Sequence, residues 1–422
     1  MTNTYLLTPT KKQNKLPLAE FLLYVFFIYY YIMPSAFNDV PLIISLGIGF
    51  LYVTYVLFFT HTNKRVSEII MSFLGCIIFV TFCYYLLTET KTIDTSVSNY
   101  DLKRFLSKFQ QLFFTFLPVL FTYRVLKHGD KKQTKILLTI SALFILYVVF
   151  KTFNELSAND SATRVWTDFS SLSAKNIGTY NFVYAVSVSI PVAFALFLNT
   201  NKPKEKTGLF IYVAIGFVFL IMASYTLSLL ISAILCYLAL FLNTKTKFIK
   251  SVALIITPLI LILLPTLLDF TATYIVPRES MAKRITEVSK YFSGEAMGYN
   301  LNGRITLYRD TLKAFFQSPI IGNSSLHFDG HATFLTVLSD IGLLGSVPFY
   351  WLYFSSHKKI GNILGVKSQK RCFLIAFLSV FLTGCVNPIH SALPLPMVAW
   401  FIVPLATKIF IKKEAITLNN ER

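Results

Sequence analysis

Charged residues are scarce in this sequence. Only 14% of its 422 residues are Asp, Glu, Lys or Arg, whereas a soluble domain carries about a quarter. Acidic residues are rarer than basic ones: the chain has 20 Asp and Glu and 39 Lys and Arg, which gives a net charge of +19. The scarcity of charge argues against a soluble protein. The positive balance would suit nucleic acid, but the basic residues fall in short loops between apolar runs, so nucleic-acid binding is not expected.

Cysteine and the common catalytic motifs are also scarce. No cysteine pair has a CxxC spacing, and all five cysteines lie in apolar segments: Cys76, Cys83, Cys236, Cys372 and Cys385. The sequence therefore predicts neither a disulfide framework nor a zinc site. A Gly-rich phosphate loop, a GxSxG elbow and an internal repeat are likewise missing, which excludes the enzyme classes that these motifs define.

Long apolar runs are what the sequence has in abundance. Hydrophobic residues make up 55% of the chain, and the mean hydropathy is +0.60. Twelve segments come near the roughly 20 residues that a membrane-spanning helix needs. These segments are 16–34, 40–60, 68–88, 109–127, 134–151, 180–199, 208–224, 227–243, 251–269, 334–356, 371–388 and 394–411. We therefore predict an all-α, polytopic integral membrane protein with about twelve transmembrane helices.

The Lys and Arg residues alternate between loops. They concentrate after every second apolar segment, at 64–65, 124–132, 202–206, 245–250, 358–371 and 412–413. Because Lys and Arg stay on the cytoplasmic side of membrane proteins, both termini are predicted to be cytoplasmic. Three parts follow: residues 1–269 with nine helices and an outside loop at 151–179, a large extracytoplasmic loop with amphipathic helices at 270–333, and residues 334–422 with three helices.

The stretch 302–345 differs from the rest because it mixes Arg, His, Asp, Asn and Gly at high density. Apolar residues at helical spacing predict an amphipathic helix that Ser318-Pro319 ends. Asn302-Gly303 is a typical helix start, which would place Arg304 where N-terminal N–H groups also attract an anion. His331 then stands at the mouth of the next apolar helix.

Basic residues in the outside loops are unexpected, because Lys and Arg are normally retained in cytoplasmic loops. Guanidinium forks match phosphate oxygens in paired hydrogen bonds, so a phosphorylated lipid headgroup is the predicted ligand. The candidates are Arg278, Arg284, Arg304 and Arg309 in the second outside loop. The alternative is that such residues lie on the solvated face of a helix, and we prefer it for the lysines of the second loop.

The run NGRITLYRDTLKAFFQSPIIG, followed by His331 and then by Gly342-Leu343-Leu344-Gly345, resembles the signature of the O-antigen ligase/polymerase superfamily. Members of that superfamily are bacterial membrane glycosyltransferases with many spanning helices and a large outside loop before a late helix. The resemblance covers residues 302–345, and the topology of the whole chain agrees with it.

The resemblance implies a donor glycan on undecaprenyl diphosphate and an acceptor hydroxyl that displaces the diphosphate, without metal or cofactor. It implies that Arg304, with another cation of the loops, neutralises the diphosphate. It implies that His331 accepts the proton of the acceptor. An ordinary interfacial histidine is the alternative for His331 and our preferred interpretation of His327. The implied partners are lipid-linked oligosaccharide donor and acceptor, membrane lipids and, as a candidate, a chain-length regulator, in the bacterial inner membrane.

Two departures separate the chain from the ligases of this family. Ala332 follows His331, where the family commonly has Asn, and Leu227 stands where many ligases carry a second Arg. Arg164 or Lys175 in the first outside loop, or another arginine of the second, is the candidate to replace that Arg. The segment 173–182 is similar to a region of repeat-unit polymerases. We therefore expect a polymerase of O-antigen or capsule repeat units. The first alternative is the O-antigen ligase that transfers finished polymer to lipid A-core.

A transporter of lipid-linked glycans is the alternative from another class. Transporters place paired ionisable groups within the membrane or break their helices there. Asp340 is the one acidic residue in a predicted helix near the site. It lies close enough to the helix end for an interfacial position, so we rank transport below polymerisation.

Overall fold

The computed structural model describes residues 15–59, 64–89, 100–159, 162–163, 169–244, 247–275, 279–293, 299–323, 332–389 and 393–411. All regular structure in these residues is helical. The helices are α1 (Leu18–Ile32), α2 (Ala36–Asp39), α3 (Leu42–Phe58), α4 (Lys64–Glu89), α5 (Tyr100–His128), α6 (Lys131–Ala158), α7 (Phe169–Ala174), α8 (Tyr180–Asn199), α9 (Pro203–Met222), α10 (Thr226–Asn243), α11 (Lys247–Phe270), α12 (Glu279–Phe292), α13 (Tyr299–Gln317), α14 (Thr333–Ile363), α15 (Lys367–Val386), α16 (Pro394–Met397) and α17 (Val403–Phe410). One π-helical turn, Thr271–Ile275, extends α11, and another, Val398–Ile402, joins α16 to α17.

Apolar helices dominate the described structure. Eight are long and apolar enough to cross a membrane: Ser67–Leu86, Phe105–His128, Lys131–Ala158, Tyr180–Asn199, Pro203–Met222, Thr226–Asn243, Thr333–Ile363 and Lys367–Val386. Four further apolar helices are shorter: Leu18–Ile32, Ile43–Phe58, Ile262–Tyr274 and Pro394–Phe410. The protein is thus an all-helical membrane protein, as the sequence predicted. Each of the twelve predicted segments coincides with a helix, and the number twelve for the crossings stays a prediction.

Hydrogen bonds group the helix ends into two sets. At one end, Gln133 at the start of α6 binds both backbone groups of Leu16 just before α1, each at 3.0 Å. The Arg371 guanidinium, near the start of α15, donates to the Leu242 carbonyl near the end of α10 at 3.0 Å. These are positions that the sequence assigns to the side rich in Lys and Arg. We call this the basic end.

At the opposite end, which we call the loop end, the contacts join segments that the sequence assigns to the other side. The Ser35 amide after α1 donates to Asn176 Oδ1 after α7 at 3.1 Å. The Tyr225 hydroxyl, between α9 and α10, donates to the Thr163 carbonyl at 3.2 Å. These contacts join loops that the sequence assigns to the same side. The assignment of the two ends to cytoplasm and exterior stays a prediction that can be tested.

Reporter fusions provide that test. Fusions after Lys250 and after Lys359 are expected to report a cytoplasmic location, and fusions near Ala162 and Gly294 an outside one, because Lys and Arg are retained inside. Paired phosphatase and fluorescent-protein activities measure the two locations. A cytoplasmic signal near Gly294 would place Arg304 on the inner face and would contradict the functional proposal below.

A buried ion pair ties α1 to α5 near the basic end. Arg124 Nε and Nη2 donate to the two carboxylate oxygens of Glu20 at 3.0 and 2.9 Å, and both side chains are almost fully buried. The Tyr24 hydroxyl donates to the same carboxylate at 2.6 Å and lies 2.8 Å from the Tyr52 hydroxyl. A charge left alone in such a place is strongly destabilising, so each partner depends on the other.

Helix α14 is broken at Gly342. This residue has φ +56° and ψ −163°, a conformation that is essentially restricted to glycine. The segment 318–323 packs against the break. Its Pro319 and Ile320 carbonyls accept hydrogen bonds from the amides of Leu343 and Leu344 at 2.9 and 3.0 Å. The loop that follows α13 therefore satisfies backbone groups that the interrupted helix leaves free.

Gly342→Ala is expected to remove most of the folded protein. A Cβ at this position would collide with the Ile320 carbonyl, and the backbone conformation alone costs about 1–3 kcal/mol for a residue other than glycine. Gly361→Ala, in the same helix with open space around it, is the matched control. Fluorescence-detected size exclusion of the detergent-extracted proteins measures the effect. Equal monodisperse yields of the two variants would contradict the strain assigned to Gly342.

Candidate functional site

The amphipathic helix predicted from the stretch 302–345 is α13. It ends at Gln317, directly before Ser318-Pro319, as predicted. Its start was predicted wrongly, because it begins at Tyr299 rather than at Asn302-Gly303. Arg304 therefore lies in the second turn of α13, beyond the free N–H groups of the helix start. Its position is fixed instead by a contact across the fold.

Arg304 and Tyr308 reach the same acceptor. Arg304 Nη1 and the Tyr308 hydroxyl each donate to the Val386 carbonyl at 3.1 Å. The two residues are four apart, so they share one face of α13. Val386 is the last residue of α15, where backbone carbonyls lack partners within the helix and carry partial negative charge. Burial raises the pKa of the Tyr308 hydroxyl, with Arg304 acting against the rise, so the hydroxyl stays protonated and donates at neutral pH.

Asn387, the next residue, is the hub of the loop end. Its side chain is 3% exposed, and its Oδ1 accepts from the Tyr184 hydroxyl at 3.2 Å. Its carbonyl accepts from both the amide and the hydroxyl of Thr333 at 3.3 Å. Among the described residues its Nδ2 has no partner, although buried amide groups almost always find one. Thr333 stands two positions after His331 in the sequence.

Tyrosines lie beside Asn387. Tyr184 packs against Tyr180 and Tyr225, with ring centroids 6.1 and 5.9 Å away. Tyr184 and Tyr225 are largely buried, and Tyr180 is half-buried. A tyrosine offers an apolar ring face and a hydroxyl in one side chain, a combination that suits the mixed surface of a sugar ring.

An apolar cavity lies between α14 and α15 next to this cluster. It is lined by Phe334, Tyr350, Phe377, Phe381 and Cys385, among others, and has a volume of about 350 Å³. Cys385 directly precedes the Val386 carbonyl that holds Arg304. The arrangement therefore combines a cation, buried polar groups and an apolar cavity at the loop end.

The other predicted cations do not gather around Arg304 in the described structure. Arg309 is exposed and lies about 140° around the axis of α13 from Arg304. Its Nε is 3.6 Å from Asp310 Oδ1. Arg284 is half-buried on α12, which packs against α10 and α11, whereas α13 packs against α14. Lys175 is exposed after α7. Arg164, Arg278, His327 and His331 lie outside the described residues.

A second ionisable cluster lies beside the break in α14. Asp340, two residues before Gly342, is half-buried and within electrostatic range of Lys108 on α5. The Lys108 Nζ lies 4.7 Å from the centre of the Tyr84 ring on α4. No group of three or more His, Cys, Asp or Glu that could hold a metal occurs among the described residues. Asp340 and Lys108 therefore interact electrostatically between α14 and α5.

Sequence reasoning missed several members of the loop-end site. By helical spacing Tyr308 belongs to the apolar face of α13, although its spacing of four from Arg304 also pairs the two residues. Asn387 precedes Pro388 at the end of an apolar run, which is a signal for a turn but not for a buried hub. Tyr184 is 203 residues away from its partner Asn387, and no sequence pattern connects them.

Comparison with known proteins assigns no family to the chain. No protein-family model matches it, and no curated protein shows a significant match. The function is therefore argued from the residues, and the resemblance in 302–345 enters as a hypothesis.

Proposed function

We propose that the protein is a membrane glycosyltransferase. It polymerises undecaprenyl-diphosphate-linked oligosaccharide repeat units into O-antigen or capsular polysaccharide on the outer face of the bacterial inner membrane. The observation that carries the proposal is the position of Arg304. Its guanidinium is held at the end of α15, beside the buried Asn387 and next to an apolar cavity. The resemblance of 302–345 to the O-antigen ligase/polymerase superfamily supports it.

Arg304 suits the diphosphate of the donor. One N–H of its guanidinium is used on the Val386 carbonyl at 3.1 Å, which fixes the direction of the side chain. Two charge-assisted hydrogen bonds to phosphate oxygens need the planar fork that remains. The cavity between α14 and α15 is apolar, so it offers the start of the polyprenyl chain a place next to the cation. The second cation that the family uses is sought among Arg164, Lys175 and Arg278.

The reaction exchanges one carbon–oxygen bond for another. The acceptor hydroxyl attacks the anomeric carbon of the donor, and the bond from that carbon to the diphosphate oxygen breaks. The diphosphate leaves with the electron pair, and Arg304 balances its charge. The acceptor proton passes to His331, whose usual pKa suits a base at neutral pH. The unpartnered Asn387 Nδ2 and the tyrosines beside it are candidate contacts for the sugars.

A second candidate function is transport of the same lipid-linked glycans. The break in α14 at Gly342 and the ionisable residues Asp340 and Lys108 beside it favour this function, because transporters build sites from broken helices. The loop segment 318–323 satisfies the amides of this break with backbone carbonyls. These contacts account for the break as a structural feature without a transported substrate. Polymerisation therefore remains the main proposal.

A deletion strain distinguishes the candidates. Surface glycan should shrink to single repeat units when the gene is absent, and full-length polymer should return with the wild-type gene. Long polymer stranded on undecaprenyl diphosphate would assign the ligase function instead. Single lipid-linked units that accumulate on the cytoplasmic face would assign transport. Gel analysis of the surface glycan, together with separate analysis of the lipid-linked glycans, provides the measurement.

A further inference from the structure

A groove lies between α3 and α4 at the other end of the molecule. These two helices follow one another in the chain but make only slight contact with each other. The gap is floored by α5 and closed at one side by the end of α14, with Val53, Phe73, Phe116, Leu120 and Ile363 among its lining residues. Its walls are almost wholly apolar, and the enclosed part of the groove has a volume of about 50 Å³.

The groove opens on the apolar outer surface of the helices. Phe58 on α3 and Met71 on α4 expose 77% and 60% of their surface, as membrane-facing side chains do. Water does not fill an apolar cavity, which stays dry or takes an apolar guest. In a membrane, the apolar guest at hand is a lipid acyl chain.

The groove has a cationic end. Lys359, near the end of α14, lines it and is half-buried, with its Nζ 4.3 Å from the ring centre of Phe73. Tyr123, near the end of α5, lines it as well, and its hydroxyl accepts from Lys127 Nζ at 3.3 Å. Two ammonium groups thus stand where the apolar lining meets the basic end. An apolar slot with cations at one end matches a phospholipid, and basic pockets between membrane helices bind anionic headgroups.

We propose that this groove binds one anionic phospholipid of the leaflet at the basic end. Its acyl chain lies between α3 and α4 over α5, and its phosphate contacts Lys359 and Lys127. Because the groove is at the opposite end from Arg304, the lipid is a structural partner rather than the glycan donor. The inference rests on the membrane position of the helices and does not depend on the proposed enzymatic activity.

Lipid retention by the purified protein tests the proposal. The full-length protein in detergent is titrated with phosphatidylglycerol or phosphatidylcholine, and bound lipid is counted by native mass spectrometry. We expect wild-type protein to retain one phosphatidylglycerol preferentially, and Lys359→Ala to weaken that retention about tenfold, the effect of losing one charge-assisted contact. Lys359→Arg should retain the lipid. Lys204→Ala, an exposed lysine at the start of α9, is the matched control and should bind as wild type does.

A second variant tests the apolar part of the site. Leu74→Trp places a larger ring in the groove and should displace the lipid while Lys359 and Lys127 remain. Both variants are first checked for a monodisperse profile, and Lys359→Arg covers the case in which Lys359→Ala does not fold. Equal retention of phosphatidylcholine and phosphatidylglycerol by wild-type protein would overturn the proposal. Unchanged binding in Lys359→Ala, or in Leu74→Trp, would do so as well.

Discussion

His331→Ala is expected to lose polymerising activity by about 10²–10⁴-fold, the usual contribution of a positioned general base. An acceptor hydroxyl attacks poorly unless its proton is drawn off while the new bond forms. Thr333, two residues further along the chain, is hydrogen-bonded to Asn387, the neighbour of the Val386 carbonyl that holds Arg304. Donor binding should survive, because the proposed diphosphate contacts are those of Arg304. Complementation of the deletion strain at matched expression, scored by glycan chain length, gives the in vivo measurement.

His327→Ala is the control for this prediction. His327 lies in the same loop but lacks the spacing to Gly342 that the resemblance assigns to the catalytic histidine. Most activity should therefore remain. A dead His327→Ala variant together with a normal His331→Ala variant would mean that the wrong histidine has been assigned as the base. An assay with purified protein and synthetic lipid-linked donor would then locate the base by its pH profile.

Arg304→Lys is expected to reduce activity almost as much as Arg304→Ala. Lysine keeps the positive charge but loses the planar fork that reaches the Val386 carbonyl and, as proposed, a phosphate oxygen at the same time. One charge-assisted hydrogen bond contributes about 1.5–3 kcal/mol, which corresponds to about one to two powers of ten in rate when it is made in the transition state. Turnover of a lipid-linked donor in detergent measures the loss, with membrane levels of each variant compared by immunoblot.

Two variants separate the chemistry of Arg304 from its structural contact. Arg309→Ala removes an exposed arginine of the same helix and should change activity little. Tyr308→Phe removes the other hydrogen bond to the Val386 carbonyl and reports how far that anchor alone matters. Full activity in Arg304→Lys would show that only bulk charge is needed. A loss in Tyr308→Phe as large as in Arg304→Ala would show that the anchor, and not the phosphate contact, explains the effect.

The helices of this protein could be predicted well from its sequence. Apolar runs near the length of a membrane span have few other structures to adopt, because backbone groups in lipid must be satisfied within the segment. Even the close pair at 208–243 separates as predicted, since α9 ends at Met222 and α10 begins at Thr226. The break at Gly342 could not be predicted, because its cause is the approach of residues 318–323, and the sequence of α14 alone reads as one apolar helix.

The candidate site could be predicted only in part. The Arg304 face of α13 and the end of that helix follow from local spacing and from Pro319. Its first residue does not, because Asn302-Gly303 is a strong start signal that the structure overrides by three residues. The acceptor of Arg304 lies 82 residues away on α15. Contacts of this kind depend on how helices pack, which no local pattern encodes.

The broken helix α14 also constrains how the chain is made. The ribosome synthesises residues 318–323 before Gly342, so the carbonyls of Pro319 and Ile320 are already present when Leu343 and Leu344 leave the exit tunnel. In the broken conformation of α14, those two amides would face hydrocarbon without a partner if the loop were absent, at a cost of several kcal/mol. The broken conformation of α14 is therefore stable in the bilayer only when the preceding loop is packed onto it.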